Sequence, residues 1–133
     1  MATRSRIAIE DKDGLITSIY CHWDGYPNGV GRTLLDHFQD RKKVKELILL
    51  GDISSLSPEL KTDLPHSFDC PTGGVTVAYH RDRGEDYSNA HHGDRQEFED
   101  YGYEAYGYLF TQENKWEIIE YQFGWRDLDE VLD

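Results

Sequence analysis

At 133 residues the chain has the length of one domain, expected over 1–133, and can bury a core without disulfide or metal staples. Fourteen Lys/Arg stand against 26 Asp/Glu, a net charge of −12, which argues against the basic surface that sequence-independent binding to nucleic-acid phosphate needs. No apolar run approaches the roughly 20 residues of a membrane span, and two cysteines, Cys21 and Cys70, are too few for a disulfide framework.

Arg6-Ile7-Ala8-Ile9-Glu10 alternates and predicts a strand, Asp11-Lys12-Asp13-Gly14 a turn, and Leu15 to Tyr20 the return strand. A loop over Lys12-Asp13-Gly14 sets Ile7 opposite Ile19 and Ile9 opposite Thr17, one apolar face inward. Residues 20–31 form a loop dense in aromatic, polar and glycine residues. Val30, Leu34, Leu35 and Phe38 then follow at helical spacing. Asp40 is placed to cap a second helix with Val44, Leu47 and Ile48 on its inner face, and Gly51 to end it. Residues 52–74 read as irregular, Val75–Tyr79 as a strand, and 81–99 as a long polar loop holding His91 and His92. Tyr103–Phe110 and Trp116–Tyr121 predict a second hairpin around Gln112-Glu113-Asn114, and Arg126–Leu132 a short acidic helix. The expected fold is α+β: a mainly antiparallel sheet of about five strands in the order ββααβββ, a helix pair on one face, and the acidic helix at the end.

Cys21, His22, Asp24, His80, His91 and His92 are of metal-ligand type, but no CxxC pair or HExxH spacing organises them, so no metal is expected. Cys21 and His22 are adjacent on a strand and point to opposite faces, which opposes a Cys–His nucleophile pair. His80-Arg81-Asp82 begins like a kinase catalytic loop, yet the position that needs Asn is Tyr87. Gly25, Gly29 and Gly31 precede Arg32-Thr33 rather than the Lys-Ser/Thr of a phosphate-binding loop. No catalytic residue and no cofactor is assigned.

Charge and aromatics are unevenly placed. Residues 1–70 hold nine Lys/Arg and eleven Asp/Glu, residues 71–133 five and fifteen, so the second part carries −10. The one basic cluster, Arg41, Lys42, Lys43 and Lys45, reads as a solvated helix face. Glu97, Glu99, Asp100, Glu104, Glu117 and Glu120 interleave with Tyr101 and Tyr103, and predict an acidic, aromatic face suited to a basic partner surface.

Ile19-Tyr20-Cys21-His22-Trp23-Asp24-Gly25-Tyr26-Pro27, followed by Val30-Gly31 and Leu34-Leu35, resembles a family of small uncharacterised bacteriophage and prophage proteins. The similarity runs on through Lys45-Glu46-Leu47-Ile48 and Gly51–Leu56 to Ala78–Glu85. No residue role comes with this resemblance. It implies context: a phage accessory protein acting in a bacterial cytoplasm, in keeping with reduced cysteines and the strand-like residues near Met1, where no signal peptide is expected.

Two functional expectations follow. The first is a non-enzymatic inhibitor of a bacterial defence nuclease, of anti-CRISPR or anti-restriction type. It would bind the nuclease's basic nucleic-acid cleft through the acidic face, with no direct nucleic-acid or membrane binding. The alternative is a small-molecule or nucleotide-signal site, binding or enzymatic, between loop 22–31 and the strand end at 80–83. There Trp23 or Tyr26 would stack a base, Arg32, Arg81 or Arg83 would hold phosphate, and His22, Asp24 and His80 would complete the pocket. A homodimer through an edge strand is a third reading.

Overall fold

The structure is a computed structural model that describes residues 2–86, 89–121 and 123–132. Its frame is a sheet whose two central strands belong to different hairpins. The first hairpin is β1 (Ser5–Glu10) and β2 (Ile16–Cys21), in the register Ile7↔Ile19 and Ile9↔Thr17 that the alternation demands. The second is β6 (Tyr106–Phe110) and β7 (Trp116–Glu120). β1 pairs with β6 in parallel, from Ser5↔Tyr106 to Ile9↔Phe110.

Both hairpins turn in the same way. Asp11 N–H donates to Leu15 O and Thr111 N–H to Lys115 O, both at 2.9 Å. Each loop has a positive-φ residue at its fourth position, Gly14 at 86° and Asn114 at 62°, which gives the twist a hairpin needs. Because β1 and β6 run parallel, both turns lie at the same end of the sheet. Arg41 ties them together there. Its guanidinium donates to Glu10 O (3.0 Å), Thr111 O (2.5 Å) and Asn114 Oδ1 (2.7 Å) and lies 5.2 Å from the centre of the Phe110 ring. One member of the basic cluster is thus a structural clamp.

The remaining elements fill the two sides. After a π-helical turn over Pro27–Gly31 come α1 (Arg32–His37) and α2 (Arg41–Leu49). The Asp40 side chain accepts from Lys42 N–H, and Gly51, at φ 76°, stands just past the end of α2. Then follow β3 (Ile53–Ser55), β4 (Val77–Ala78), α3 (Tyr79–Arg83), β5 (His91–Gly93), α4 (Arg95–Tyr101), β8 (Gly124–Asp127) and α5 (Leu128–Leu132). The strand order is β4-β3-β2-β1-β6-β7-β8, with β5 also paired to β2. One face carries the main core, in which Ile7, Ile19, Cys21 and Tyr108 meet Leu34, Phe38, Val44, Leu47 and Leu128. On the other face, Ala8, Ile16, Leu109 and Ile119 are covered by Phe98 of α4.

The fold is α+β and mainly antiparallel, as expected, with several local differences. Eight strands are present among the described residues rather than about five. The 81–99 segment is not one polar loop. It holds the end of α3, β5 and most of α4. β5 has no apolar alternation to reveal it and exists because His91 and His92 pair with Ser18 and Thr17. α4 buries one side chain, Phe98, so its periodicity is faint. The strand expected over Val75–Tyr79 shortens to Val77–Ala78, because Tyr79 opens α3. Tyr103–Ala105 precede β6, since Glu104 takes a positive φ of 66°. The tail is split: a strand comes before the helix, because Trp125 packs on Phe98 at 5.9 Å.

Loop 22–31 is a packed corner with two exposed rings. Gly25 N–H donates to Thr3 O (2.8 Å), Val30 N–H to Asp24 O (2.8 Å), and the buried Tyr108 hydroxyl to Gly25 O (2.6 Å). A Cβ on Gly25 would lie 2.8 Å from Thr3 O and 3.0 Å from the Arg4 carbonyl carbon, backbone atoms that cannot rotate away. Gly25→Ala is expected to cost about 1–3 kcal/mol by overpacking, read from the urea midpoint. An unchanged midpoint would show that the corner is loose.

Candidate functional site

The second face of the sheet is where the chemistry gathers. α4 starts on a capping box: Asp94 accepts from Glu97 N–H at 2.8 Å, and Glu97 Oε1 accepts from Asp94 N–H at 3.1 Å. Two donors at the helix start are satisfied reciprocally. Phe98 then packs between Tyr103 and Trp125, with ring centres at 6.2 and 5.9 Å.

The eight residues expected to form the acidic face do not all share it. Glu97, Glu99, Asp100 and Tyr101 are on α4, with Tyr103 and Glu104 just after it. Glu99 accepts from the Trp125 indole at 3.1 Å. Glu117 lies on the same face and is neutralised by Arg95 at 3.0 Å. Glu120 is the exception. Three residues from Glu117 on a strand, it belongs to the opposite face and pairs with Arg126. Among the described residues Glu97, Glu99, Asp100 and Glu104 make no ion pair. Tyr101, 58 % exposed, stands among them. His91 stacks on its ring at 3.8 Å, and the Arg6 guanidinium lies 4.8 Å from the ring centre. Burial first, then the Arg6 charge, holds His91 below its ordinary pKa.

The residues of the alternative pocket scatter. His22 shares a hydrogen bond of 2.7 Å with the Tyr20 hydroxyl and meets Trp23 edge-on at 4.7 Å. Trp23 and Tyr26 are exposed, and Asp24 sits at φ 59° accepting from the Tyr26 hydroxyl. Arg32 faces α5, donating to Leu132 O at 2.9 Å. Arg81 is consumed internally by Leu60 O, Thr76 O and Asp82. His80 and Arg83 line one cavity together. It measures about 450 Å³, and its other walls are Tyr20, Asp52, Tyr79, Glu85, Asp86 and Asn89. Loop 22–31 takes no part in it. No sequence signal marked Asp52 or Tyr20 for this role, because the cavity forms only where β2, β3 and the start of α3 come side by side.

Asp82 organises the irregular segment beside that cavity. Its buried carboxylate accepts from Ala78 N–H (2.7 Å), Arg81 (2.8 and 2.9 Å) and His66 Nε2 (3.2 Å). Thr72 N–H donates to His66 Nδ1, which leaves Nε2 as the protonated nitrogen. Burial alone would raise the Asp82 carboxyl, but the hydrogen bonds from Arg81, Ala78 and His66, together with the Arg81 charge, outweigh it and hold it below the usual carboxylate range.

Among the described residues no group of three His, Cys, Asp or Glu side chains is placed to hold a metal ion, and no helix is long and apolar enough to cross a membrane. Of the ligand-type residues, Cys21 points into the main core, while His92 reaches Thr17 at 3.1 Å. Neither a protein-family model nor a curated protein nor a solved structure matches the chain.

Two outcomes test this geometry. With a depressed folded pKa, Asp82 contributes stability in full above the unfolded value near 4 and loses it as pH falls through the folded value. Asp82→Asn should therefore cost about 1.5–3 kcal/mol at neutral pH and flatten the acid limb of a urea-stability series; an unchanged limb would contradict the hub. Burial pushes the Cys21 thiol up to about 12, whereas Cys70 is exposed. An aromatic disulfide reagent at about pH 8 should modify one thiol in the native protein and two only after unfolding. Rapid native reaction of both would place Cys21 at the surface.

Proposed function

We propose that this protein is a phage-encoded, non-enzymatic inhibitor of a host defence nuclease, a CRISPR effector or restriction enzyme. It binds the nuclease's basic nucleic-acid surface in the bacterial cytoplasm. The observation that carries the reading is the half-exposed Tyr101 ring set among Glu97, Glu99, Asp100 and Glu104, four carboxylates without a cationic partner among the described residues. Carboxylates on a helix and the turn after it can occupy sites that otherwise hold phosphate, and a rigid tyrosine adds contact area at small entropic cost. The −10 carried by residues 71–133 would steer a basic partner and make association salt-dependent. The phage setting rests only on the resemblance of residues 19–35 and the stretches after them up to Glu85.

A nucleotide-binding alternative has less behind it. The cavity carries three carboxylates, Asp52, Glu85 and Asp86, against Arg83 and His80. Such a lining opposes a polyphosphate.

The proposed reading is tested with tagged protein in bacterial lysate, eluted by rising salt. A basic nuclease subunit should be retained and then released by about 1 M salt, where the Debye length is about 3 Å. The Asp100→Lys, Glu104→Lys double variant spares Glu97, whose side chain closes the helix cap. It should weaken capture and nuclease inhibition at least about tenfold. Undiminished inhibition by that variant would overturn the acidic-face reading.

A further inference from the structure

We infer that the cavity lined by Tyr20, Asp52 and Tyr79 is a guanidinium site that receives an arginine side chain of the basic partner. The identity of the donor rests on the function proposed above; the chemistry of the site does not.

Three residues from separate parts of the chain are held together through their backbones. Tyr20 N–H donates to Asp52 Oδ1 at 2.9 Å, and Tyr79 N–H to Asp52 O at 3.2 Å. The second carboxylate oxygen of Asp52 has no hydrogen-bond partner among the described residues, and Asp52 lines the cavity together with Tyr20 and Tyr79. A carboxylate held next to aromatic faces suits a planar, delocalised cation, which can pair along its edge while its face lies on a ring. A compact ammonium would use the charge and leave the rings idle.

The protein already uses this arrangement once, in the wall of the same cavity. Arg83 lies 4.7 Å from the centre of the Tyr79 ring and 4.8 Å from that of Phe68, and pairs with Glu85 at 2.6 Å. That solvent-exposed pairing offsets part of the Arg83 charge and so weakens its repulsion of a second guanidinium. Asp52 and Asp86 make no ion pair among the described residues, although the Arg6 charge acts on Asp52, and His80 turns to Glu85 O at 2.7 Å. The volume of about 450 Å³ exceeds what one arginine head needs and falls within the usual range of ligand pockets.

Position ties the cavity to the acidic face. Tyr20 projects from the α4 side of the sheet, alongside Arg6 and Ser18. Arg6 sits between the two regions, its ring partner Tyr101 on one flank and the Asp52 charge on the other. A basic surface laid across α4 would bring arginines over the cavity mouth, and a buried arginine is a common anchor in tight interfaces.

The test uses agmatine, a guanidinium without a carboxylate, titrated into the full-length protein and followed by the NMR signals of the tyrosine rings. Tyr20 and Tyr79 should shift with a Kd on the order of 1 mM or tighter. n-Butylamine should bind at least about tenfold more weakly. Asp52→Asn keeps the Oδ1 acceptor for Tyr20 N–H, so its unfolding temperature should hold while agmatine affinity falls at least about tenfold. Tyr20→Leu should weaken binding without touching the carboxylate. No ring shift, equal binding of the amine, or full affinity in a folded Asp52→Asn variant would each overturn the site. These readouts need no partner, so they stand or fall apart from the Asp100→Lys, Glu104→Lys result. If agmatine binds as expected and Asp52→Asn leaves partner capture intact, the arginine-anchor role is overturned and a free guanidinium ligand remains.

Discussion

The parallel pairing of β1 with β6 is the contact on which everything else depends. It joins residues about one hundred positions apart and turns two hairpins, each too small to stand alone, into one sheet. These two strands are buried on both faces. Ile7 and Ile9 with Tyr108 and Phe110 look toward α1 and α2, while Ala8 and Leu109 look toward α4. Joining distant segments is entropically costly and slow to form. The gain is a core with two sides, which neither hairpin could build.

The parallel direction also divides the molecule into two chemically different ends. Both hairpin turns fall at one end, where Arg41 closes them with three hydrogen bonds and a ring contact. At the other end β2 leaves the sheet into the 22–31 corner, beside the start of β6, and β3 and β4 attach there. Chemistry-bearing side chains collect at this second end because strands from several parts of the chain terminate together. Tyr20, Asp52 and Tyr79 meet in space for that reason and no other.

Local patterns carried much of the first hairpin, the α2 caps and the second hairpin. Each rests on signals confined to a few residues: alternation, a turn with one positive-φ residue, an Asp cap, a terminal glycine. The elements that escaped detection share a cause. β5 is polar and stands only because β2 offers it an edge. α4 turns on Phe98 alone, although Asp94 and Glu97 at capping-box spacing marked its start. β8 is held by Trp125 docking on that same Phe98. The acidic face was legible as composition but not as geometry, since the period of two sends Glu117 and Glu120 to opposite sides and Arg95 and Arg126 neutralise them.

The amino-acid sequence by itself determined the α+β class, the register of the first hairpin, the helix caps and the crowding of negative charge into residues 71–133, because these follow from periodicity, turn chemistry and composition. Tertiary structure alone decided the parallel β1–β6 contact and the packing of loop 22–31 into a corner whose Gly25 is held by Tyr108 and Thr3. It also decided which arginines are spent on backbone carbonyls and which remain, and the assembly of a cavity from residues 20, 52 and 79. Those features depend on which distant surfaces meet, and no local pattern in the chain encodes that meeting.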